Sequence, residues 1–323
     1  MPNSIFDASP LRDEKAAYAY VEARIWSNGR VCPHCGVVDR SGPLKGKSTR
    51  IGVYKCYACR KPFTVKVGTI FEDSHVPMHL WLQAIVMMCG SKKGISSNQL
   101  HRTLGVTLRT AWHLSHRIRL AMDESGSGPL GGPGKTLESD ETFIGYKDGG
   151  PTWEFHSGQG WRKKRAWGDR NAVLTLVERE GRARSIKLDS MKAVDVRAAV
   201  LSNADTKSDL KTDELITYRN LGKRFASHEA VNHSAEEWVR GEAHTNTVEG
   251  FFSIFKRGMT GIYQHCSERH LHRYLAEFDF RYSNRIRLGV NDAERTARAV
   301  KGAVSKRLTY RTTRSQETEP PSA

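Results

Sequence analysis

The segment over residues 136–145, TLESDETFIG, alternates polar and apolar side chains, and this period of two predicts a β-strand. Because successive side chains of a strand point to opposite faces, Glu138 and Asp140 are expected on one face and Glu141 on the other. A further apolar strand is predicted over residues 172–177. The segment therefore predicts one strand of a sheet that presents acidic side chains.

Two more acidic side chains lie downstream, on two other predicted elements. Residues 210–213 predict a short strand that ends in Asp213, and a helix predicted over residues 245–256 carries Glu249. The polar face of this helix contains four residues at helical spacing: Asn246, Glu249, Ser253 and Lys256. Its apolar side contains Val248, Phe252 and Phe255. The sequence thus supplies a carboxylate on each of three elements.

Three carboxylates that converge from different elements have a specific chemical use. They can hold two Mg²⁺ ions about 3.5–4 Å apart, one at the attacking oxygen and one at the leaving oxygen of a phosphoryl transfer. The candidates are Asp140, Asp213 and Glu249, and Lys256 follows Glu249 by two helical turns. Each acid also has an ordinary alternative: a surface acid for Asp140, a turn or N-cap acid for Asp213, and a capping box of Asn246 with Glu249.

Four of the six cysteines form two closely spaced pairs. Cys32 and Cys35 are separated by two residues, as are Cys56 and Cys59, and 20 residues lie between the pairs. Two such knuckles can present four thiolates to one tetrahedral Zn²⁺, as in a zinc ribbon. Two disulfides are the alternative, but thiols of an intracellular chain stay reduced. We therefore predict a structural Zn²⁺ site.

Residues 96–121 predict a short helix, a turn at Gly105 and a longer helix. This is the pattern of a helix-turn-helix, whose second helix enters a DNA groove. The longer helix carries basic side chains that are candidates for phosphate contact: Arg109, His113, His116, Arg117 and Arg119. An ordinary solvated helix face is the alternative.

A second basic segment lies over residues 146–170. It combines Trp153, Trp161 and Trp167 with the basic run over residues 162–165. Such a segment could grip DNA through phosphate contacts and base stacking, or it could be a solvated insertion.

The overall composition excludes several classes of protein. The 323 residues carry 51 Lys and Arg against 35 Asp and Glu, and nucleic acid is the commonest partner for a net charge of +16. The longest apolar run, over residues 80–89, is too short to span a bilayer. The N-terminus lacks the charged and apolar regions of a signal peptide. We therefore expect a cytoplasmic, nucleoid-associated protein with no membrane partner.

Four stretches, in this order, resemble the DDE transposases of bacterial insertion sequences, and among them the ISXO-type enzymes with an N-terminal zinc ribbon. They are residues 32–59, 139–145 (SDETFIG), 212–218 (TDELITY) and 244–256 (HTNTVEGFFSIFK). The last continues through residues 261–263, 270–278 and 281–282. The resemblance covers most of the chain, and the 35 residues between Asp213 and Glu249 add to its specificity.

The resemblance implies a multi-domain α/β chain with an RNase H-like catalytic domain, a mixed sheet flanked by helices. It implies metal-dependent strand cleavage at element ends and strand transfer to target DNA, with Mg²⁺ or Mn²⁺ as the catalytic ions. The triad carried onto this sequence is Asp140, Asp213 and Glu249, with Lys256 as the accompanying base. Some members have Asn at the third position, so Asn246 is the alternative there; the carboxylate charge and the seven-residue step to Lys256 favour Glu249.

The predicted order of domains is as follows. An N-terminal segment (1–25) precedes the zinc ribbon (26–72), a helix-turn-helix-like DNA-binding domain (75–125), a linker (126–135), the catalytic domain (136–290) and a basic, partly disordered tail (291–323). The expected partners are element-end DNA, target DNA and further copies of the chain assembled on DNA. Two other functions are a DNA-binding regulator with an inactive catalytic domain and a nuclease without strand transfer.

Overall fold

The computed structural model describes residues 5–148, 153–158, 160–163, 170–213, 216–231 and 239–309. These residues form two compact units. The first contains the described residues up to Cys89, then Ser97–Met122 and the described residues from Thr296 onward. The second contains Gly90–Ser96 and Asp123–Arg295.

The first unit begins with helix α1 (Glu14–Ile25) and a small antiparallel sheet. The sheet has the strands β1 (Ser41–Pro43), β2 (Tyr54–Cys56) and β3 (Pro62–Phe63). Its core consists of few side chains, with Phe63 buried against Trp26 and Tyr54. So small a core cannot supply much folding free energy by itself.

Three helices complete this part of the chain: α2 (Met78–Gly90), α3 (Ser97–Leu104) and α4 (Leu108–Ala121). Gly105, at φ +67°, makes the turn between α3 and α4. Thr107 caps α4, because its side chain accepts a hydrogen bond from the Thr110 amide at 3.1 Å. The two helices and the glycine turn predicted over residues 96–121 are therefore present in the backbone, and the DNA-binding role of this pair stays a prediction.

One basic side chain of α4 has a role that the sequence did not indicate. Arg117 is buried, and its guanidinium donates to the carbonyl oxygens of Ile70, Glu72 and Leu308. Because the side chain is buried and its Nε and Nη1 donate to these carbonyls, the structure contradicts the expectation that Arg117 contacts phosphates. Arg109, in contrast, is exposed on the first turn of α4.

The second unit contains most of the regular structure. In chain order its elements are β4 (Leu130–Gly131), β5 (Thr136–Tyr146), β6 (Trp153–His156), β7 (Gly160–Lys163), β8 (Arg170–Glu178), β9 (Ala183–Leu188), α5 (Ala193–Asn203), β10 (Ala204–Asp205), β11 (Asp209–Thr212), α6 (Ile216–Gly222), β12 (Ser227–Ala230), α7 (Asn246–Gly258) and α8 (Leu271–Ser283). Five of the strands form one sheet in the order β12-β11-β5-β8-β9. β8 is antiparallel to β5 and β9, whereas β11 is parallel to β5 and β12.

Helices cover both faces of this sheet. Leu174 and Leu176 of β8 pack with α5 and α6, and Val173 and Val177 pack with α7 and α8. Because successive side chains of β8 point to opposite faces, this one strand contributes to an apolar core on each side of the sheet. The expected mixed sheet flanked by helices is confirmed.

The basic, aromatic segment over residues 146–170 falls partly outside the described residues. Its described backbone forms the hairpin of β6 and β7, but residues 164–169, including Trp167, are not described. The prediction that this segment binds DNA therefore stays a prediction.

Residues that the sequence assigns to a C-terminal tail contain helix α9 (Asp292–Lys301). Beyond it, Val304 bridges to Thr69, and the Ile70 amide donates to the Ala303 carbonyl at 3.2 Å. The described end of the chain is thus an ordered part of the first unit. The bounds of the six predicted segments stay predictions. Within the described ranges, no helix is both long and apolar enough to cross a bilayer.

Candidate active site and metal centres

The four paired cysteines converge in the structure. Their sulfur atoms all lie within 4.8 Å of one another, with Cys32 and Cys59 3.7 Å apart and Cys35 and Cys56 also 3.7 Å apart. A disulfide would bring two sulfurs to about 2.05 Å. Four thiolates around one Zn²⁺, each at about 2.3 Å, lie about 3.8 Å from one another on the edges of a tetrahedron. The cluster therefore fits a structural Zn²⁺.

The backbone explains how the two knuckles present their thiols. The Cys32 amide donates to the Val37 carbonyl at 2.9 Å, and the Cys56 amide donates to the Lys61 carbonyl at 3.1 Å. Each knuckle is thereby closed into a tight turn, and β2 carries Cys56 directly into the cluster. Because the apolar core of this sheet is small, bound metal would supply much of its folding free energy.

We expect purified protein to contain about one Zn²⁺ per chain, and Cys32→Ser or Cys56→Ser to lose it together with the fold of the ribbon. Metal analysis and limited proteolysis measure the two effects. Cys266→Ser is the matched control, because Cys266 lies outside the cluster and should keep the zinc. A ribbon that is protease-resistant without metal would contradict this prediction.

The parallel pairing of β5 with β11 brings two acids of the sheet together. Lys211 of β11 pairs with Glu138 of β5, so continuing the register by two residues places Asp213 beside Asp140. Asp213 is the first residue after β11, whereas β5 continues past Asp140 to Tyr146. The carboxyl end of a strand in a parallel pair, here β11, is a common position for ligand-binding side chains.

A third acid joins this pair, and it is not the one that the sequence favours. Oxygen atoms of Asp140, Glu141 and Asp213 all lie within 4.8 Å of one another, and we call these three residues the acid cluster. Glu141 points to the face of α6, as the alternation predicts, where the Tyr218 hydroxyl donates to its Oε1. Since β11 ends at Thr212, the edge of β5 is open at this level, and Glu141 can reach the other two acids.

The environment of Glu141 is unfavourable for a charged carboxylate. Burial, together with the charges of Asp213 and Asp140, raises the pKa of Glu141 to about 8, against the hydrogen bond from Tyr218, which lowers it. Its Oε2 is buried and has no hydrogen-bond partner among the described residues. Mg²⁺ and Mn²⁺ bind carboxylate oxygens, so either ion could coordinate this buried, unsatisfied oxygen together with the two neighbouring carboxylates.

Glu138, two residues before Asp140, connects the sheet to helix α7. Its carboxylate is fully buried and accepts hydrogen bonds from the Thr247 and Val248 amides at 2.8 and 3.0 Å. The Thr247 hydroxyl and the Arg179 Nε donate to its other oxygen at 2.8 and 2.7 Å. A carboxylate at the first amides of a helix is stabilised by the helix dipole. Glu138 therefore fixes the start of α7 on the face of β5 that carries Asp140.

Helix α7 presents the remaining candidates. Asn246 is its first residue, Glu249 lies one turn later, and Lys256 lies in its last turn; all three side chains are exposed. The carboxylate of Glu249 is not part of the acid cluster, and it accepts a hydrogen bond from the Thr245 hydroxyl at 2.9 Å. The roles of Asn246, Glu249 and Lys256 stay predictions.

Sequence comparison identifies the class of protein. Residues 129–283 match the ISXO2-like transposase domain, and residues 12–62 match the transposase zinc-ribbon domain. The chain therefore carries an ISXO2-like transposase domain and an N-terminal transposase zinc ribbon, as its motifs indicate. An uncharacterized protein in transposable element ISH50 of Halobacterium salinarum is 26% identical over 279 residues, which are 84% of this chain and 91% of that protein.

Proposed function

We propose that this chain is a transposase that cleaves DNA strands at the ends of an insertion sequence and transfers them to target DNA. The observation that carries the proposal is the acid cluster, which lies at the carboxyl end of β11 beside the middle of β5, inside the matched transposase domain. The mixed sheet, with acids on two adjacent parallel strands, supports an RNase H-like fold for this domain.

Asp140 and Asp213 are the proposed ligands of two Mg²⁺ or Mn²⁺ ions, with Glu141 or Glu249 as the third carboxylate. The chemistry that such ions supply when bound is stabilisation of negative charge on the attacking and leaving oxygens of a phosphodiester. Glu138 keeps α7 against the sheet, so the polar face of α7 begins beside the acids. Lys256 on that face is suited to bind a phosphate of the DNA.

DNA is the proposed partner of the first unit as well. The net charge of +16, the zinc ribbon and the helix pair α3–α4 support recognition of element ends, with exposed Arg109 on the first turn of α4. We propose that the chain assembles as a homo-oligomer on this DNA and acts in the cytoplasm at the nucleoid.

The test is cleavage of a labelled duplex that contains an end of the insertion sequence, identified as an inverted repeat beside the gene. We expect nicking at the element end and joining to a second duplex, both dependent on Mg²⁺ or Mn²⁺. Cleavage without joining would identify a nuclease, and specific binding without cleavage would identify a DNA-binding regulator. Full activity in the presence of a chelator would reject the metal-dependent mechanism.

A further inference from the structure

We propose that the loop Ser91–Gly94 and the C-terminal end of α7 together form a binding surface for the phosphate backbone of DNA. The loop reads SKKG, joins α2 to α3, and belongs to the second compact unit, which also contains the acid cluster. The proposal rests on the proposed function, because it assumes that DNA bound at the acid cluster extends along α7 to this loop.

The loop is a tight turn with two lysines at its tip. The Ser91 hydroxyl donates to the Gly94 carbonyl at 2.6 Å, and the Gly94 amide donates back to the same hydroxyl at 3.0 Å. Gly94 has φ +106°, a backbone conformation that side chains disfavour. With its ends closed by Ser91, the loop projects Lys92 and Lys93 into solvent.

Two glycines allow this loop to dock closely beside the end of α7. A Cβ on Gly258 would lie 2.5 Å from the Lys93 carbonyl oxygen, and a Cβ on Gly94 would lie 2.1 Å from the Tyr263 hydroxyl. The Tyr263 hydroxyl itself donates to buried Glu277 of α8 at 2.5 Å. The loop is therefore packed against the backbone of α7 and against a side chain that α8 holds in place.

This docking places exposed Lys92 and Lys93 beside the last turn of α7, which carries two more exposed cations, Lys256 and Arg257. We call these four residues the basic cluster. Within the described residues, no carboxylate oxygen lies within 4 Å of any of the four charged groups. Cations without a neighbouring acid can pair with DNA phosphates at little cost. Each such contact releases counterions from the DNA, and this release favours binding.

The length of α7 fixes the distance between the basic cluster and the acids. Glu138 holds the first turn of α7 beside Asp140, and Gly258 lies at the other end of this 13-residue helix. At about 1.5 Å per residue, the two ends are ~18 Å apart. One strand of DNA has a phosphate every ~3.4 Å of axis, so the basic cluster would contact the backbone about five nucleotides from the scissile phosphate.

The experiment measures how DNA affinity depends on salt. The full chain with Lys92→Ala and Lys93→Ala is compared with the wild type on an element-end duplex, without divalent cations. Each lost phosphate contact reduces the magnitude of the negative slope of log affinity against log salt by about 0.9, so we expect the magnitude to decrease by about two. Lys192→Ala with Lys207→Ala is the matched control, since it removes two exposed lysines from the same unit and should leave the slope unchanged.

The charge-preserving variant Lys92→Arg with Lys93→Arg should retain the wild-type slope. An unchanged slope in the alanine variant, or an equal decrease in the control, would overturn the proposed surface. The two proposals can fail separately. If the wild type never cleaves but the slope decreases only for the loop variant, the surface stands and the catalytic proposal fails.

Discussion

Asp140→Asn and Asp213→Asn will each abolish metal-dependent cleavage and strand transfer while leaving DNA binding largely intact. Each substitution keeps the shape of the side chain and removes one negative ligand from the acid cluster. Metal stabilisation of a phosphoryl transfer is worth several kcal/mol, so a loss of roughly 10³-fold or more is expected. The measurement is the rate of nicking of a labelled element-end duplex, with DNA affinity measured in parallel.

The third ligand can be identified with the same assay. If Glu141 completes the site, Glu141→Gln will be as damaging as Asp140→Asn, and Glu249→Gln will be mild. If Glu249 moves to the metals when they bind, the order will reverse. Asn246→Ala is the internal comparison: Asn246 starts α7 after the N-cap Thr245, so its loss should cost at most about 1 kcal/mol of stability. A severe loss confined to Asn246→Ala would place Asn at the third position.

Glu138→Ala will lower the free energy of unfolding by about 3–5 kcal/mol and will greatly reduce cleavage. The substitution leaves the Arg179 guanidinium without its buried carboxylate and leaves the Thr247 and Val248 amides unsatisfied. Because Glu138 fixes α7 on β5, the first turn of the helix should also lose its position beside Asp140. Chemical denaturation and the cleavage assay measure the two effects.

Two further variants separate this role from a general loss of charge. Glu138→Gln keeps the shape but turns an amide N–H₂ toward backbone donors, so it should destabilise nearly as much. Glu180→Ala removes another glutamate with an arginine partner, Arg287 at 3.0 Å, but both side chains are exposed. Its cost should stay below about 1 kcal/mol. Equal effects of Glu138→Ala and Glu180→Ala would show that Glu138 does not anchor the helix.

The sequence predicts the elements of the site better than their convergence. Period-two and helical patterns were sufficient to place Asp140 on a strand, Asp213 at the end of another and Glu249 on the polar face of a helix. The same alternation assigned Glu141 to the opposite face, which is correct, but it could not show that β11 ends early enough for Glu141 to reach the other acids. Whether a side chain can contact residues past the end of a neighbouring strand depends on tertiary structure, and no local sequence pattern indicates it.

Buried charges were the other features that local patterns could not reveal. Glu138 and Arg117 have the side chains expected of a surface, yet both are buried and hydrogen-bonded to backbone groups of distant segments. Their partners lie far away in sequence, at Thr247 and at Ile70, so only the folded chain shows them. The cysteine pairs were different, because a fixed short spacing and a tetrahedral ion leave few other arrangements.

The parallel pairing of β5 with β11 also has a consequence for the order in which the chain matures. Parallel neighbours need a long crossover, and here β8, β9 and α5 must be synthesised before β11 can add to the edge of β5. Non-local pairings of this kind form late in folding. A nascent chain that has been synthesised only as far as α5 therefore contains Asp140 and Glu141 but lacks Asp213. Helix α7, which follows β11 in the sequence, can dock on Glu138 only later. Incomplete chains released from the ribosome would thus lack an assembled site with which to cut DNA.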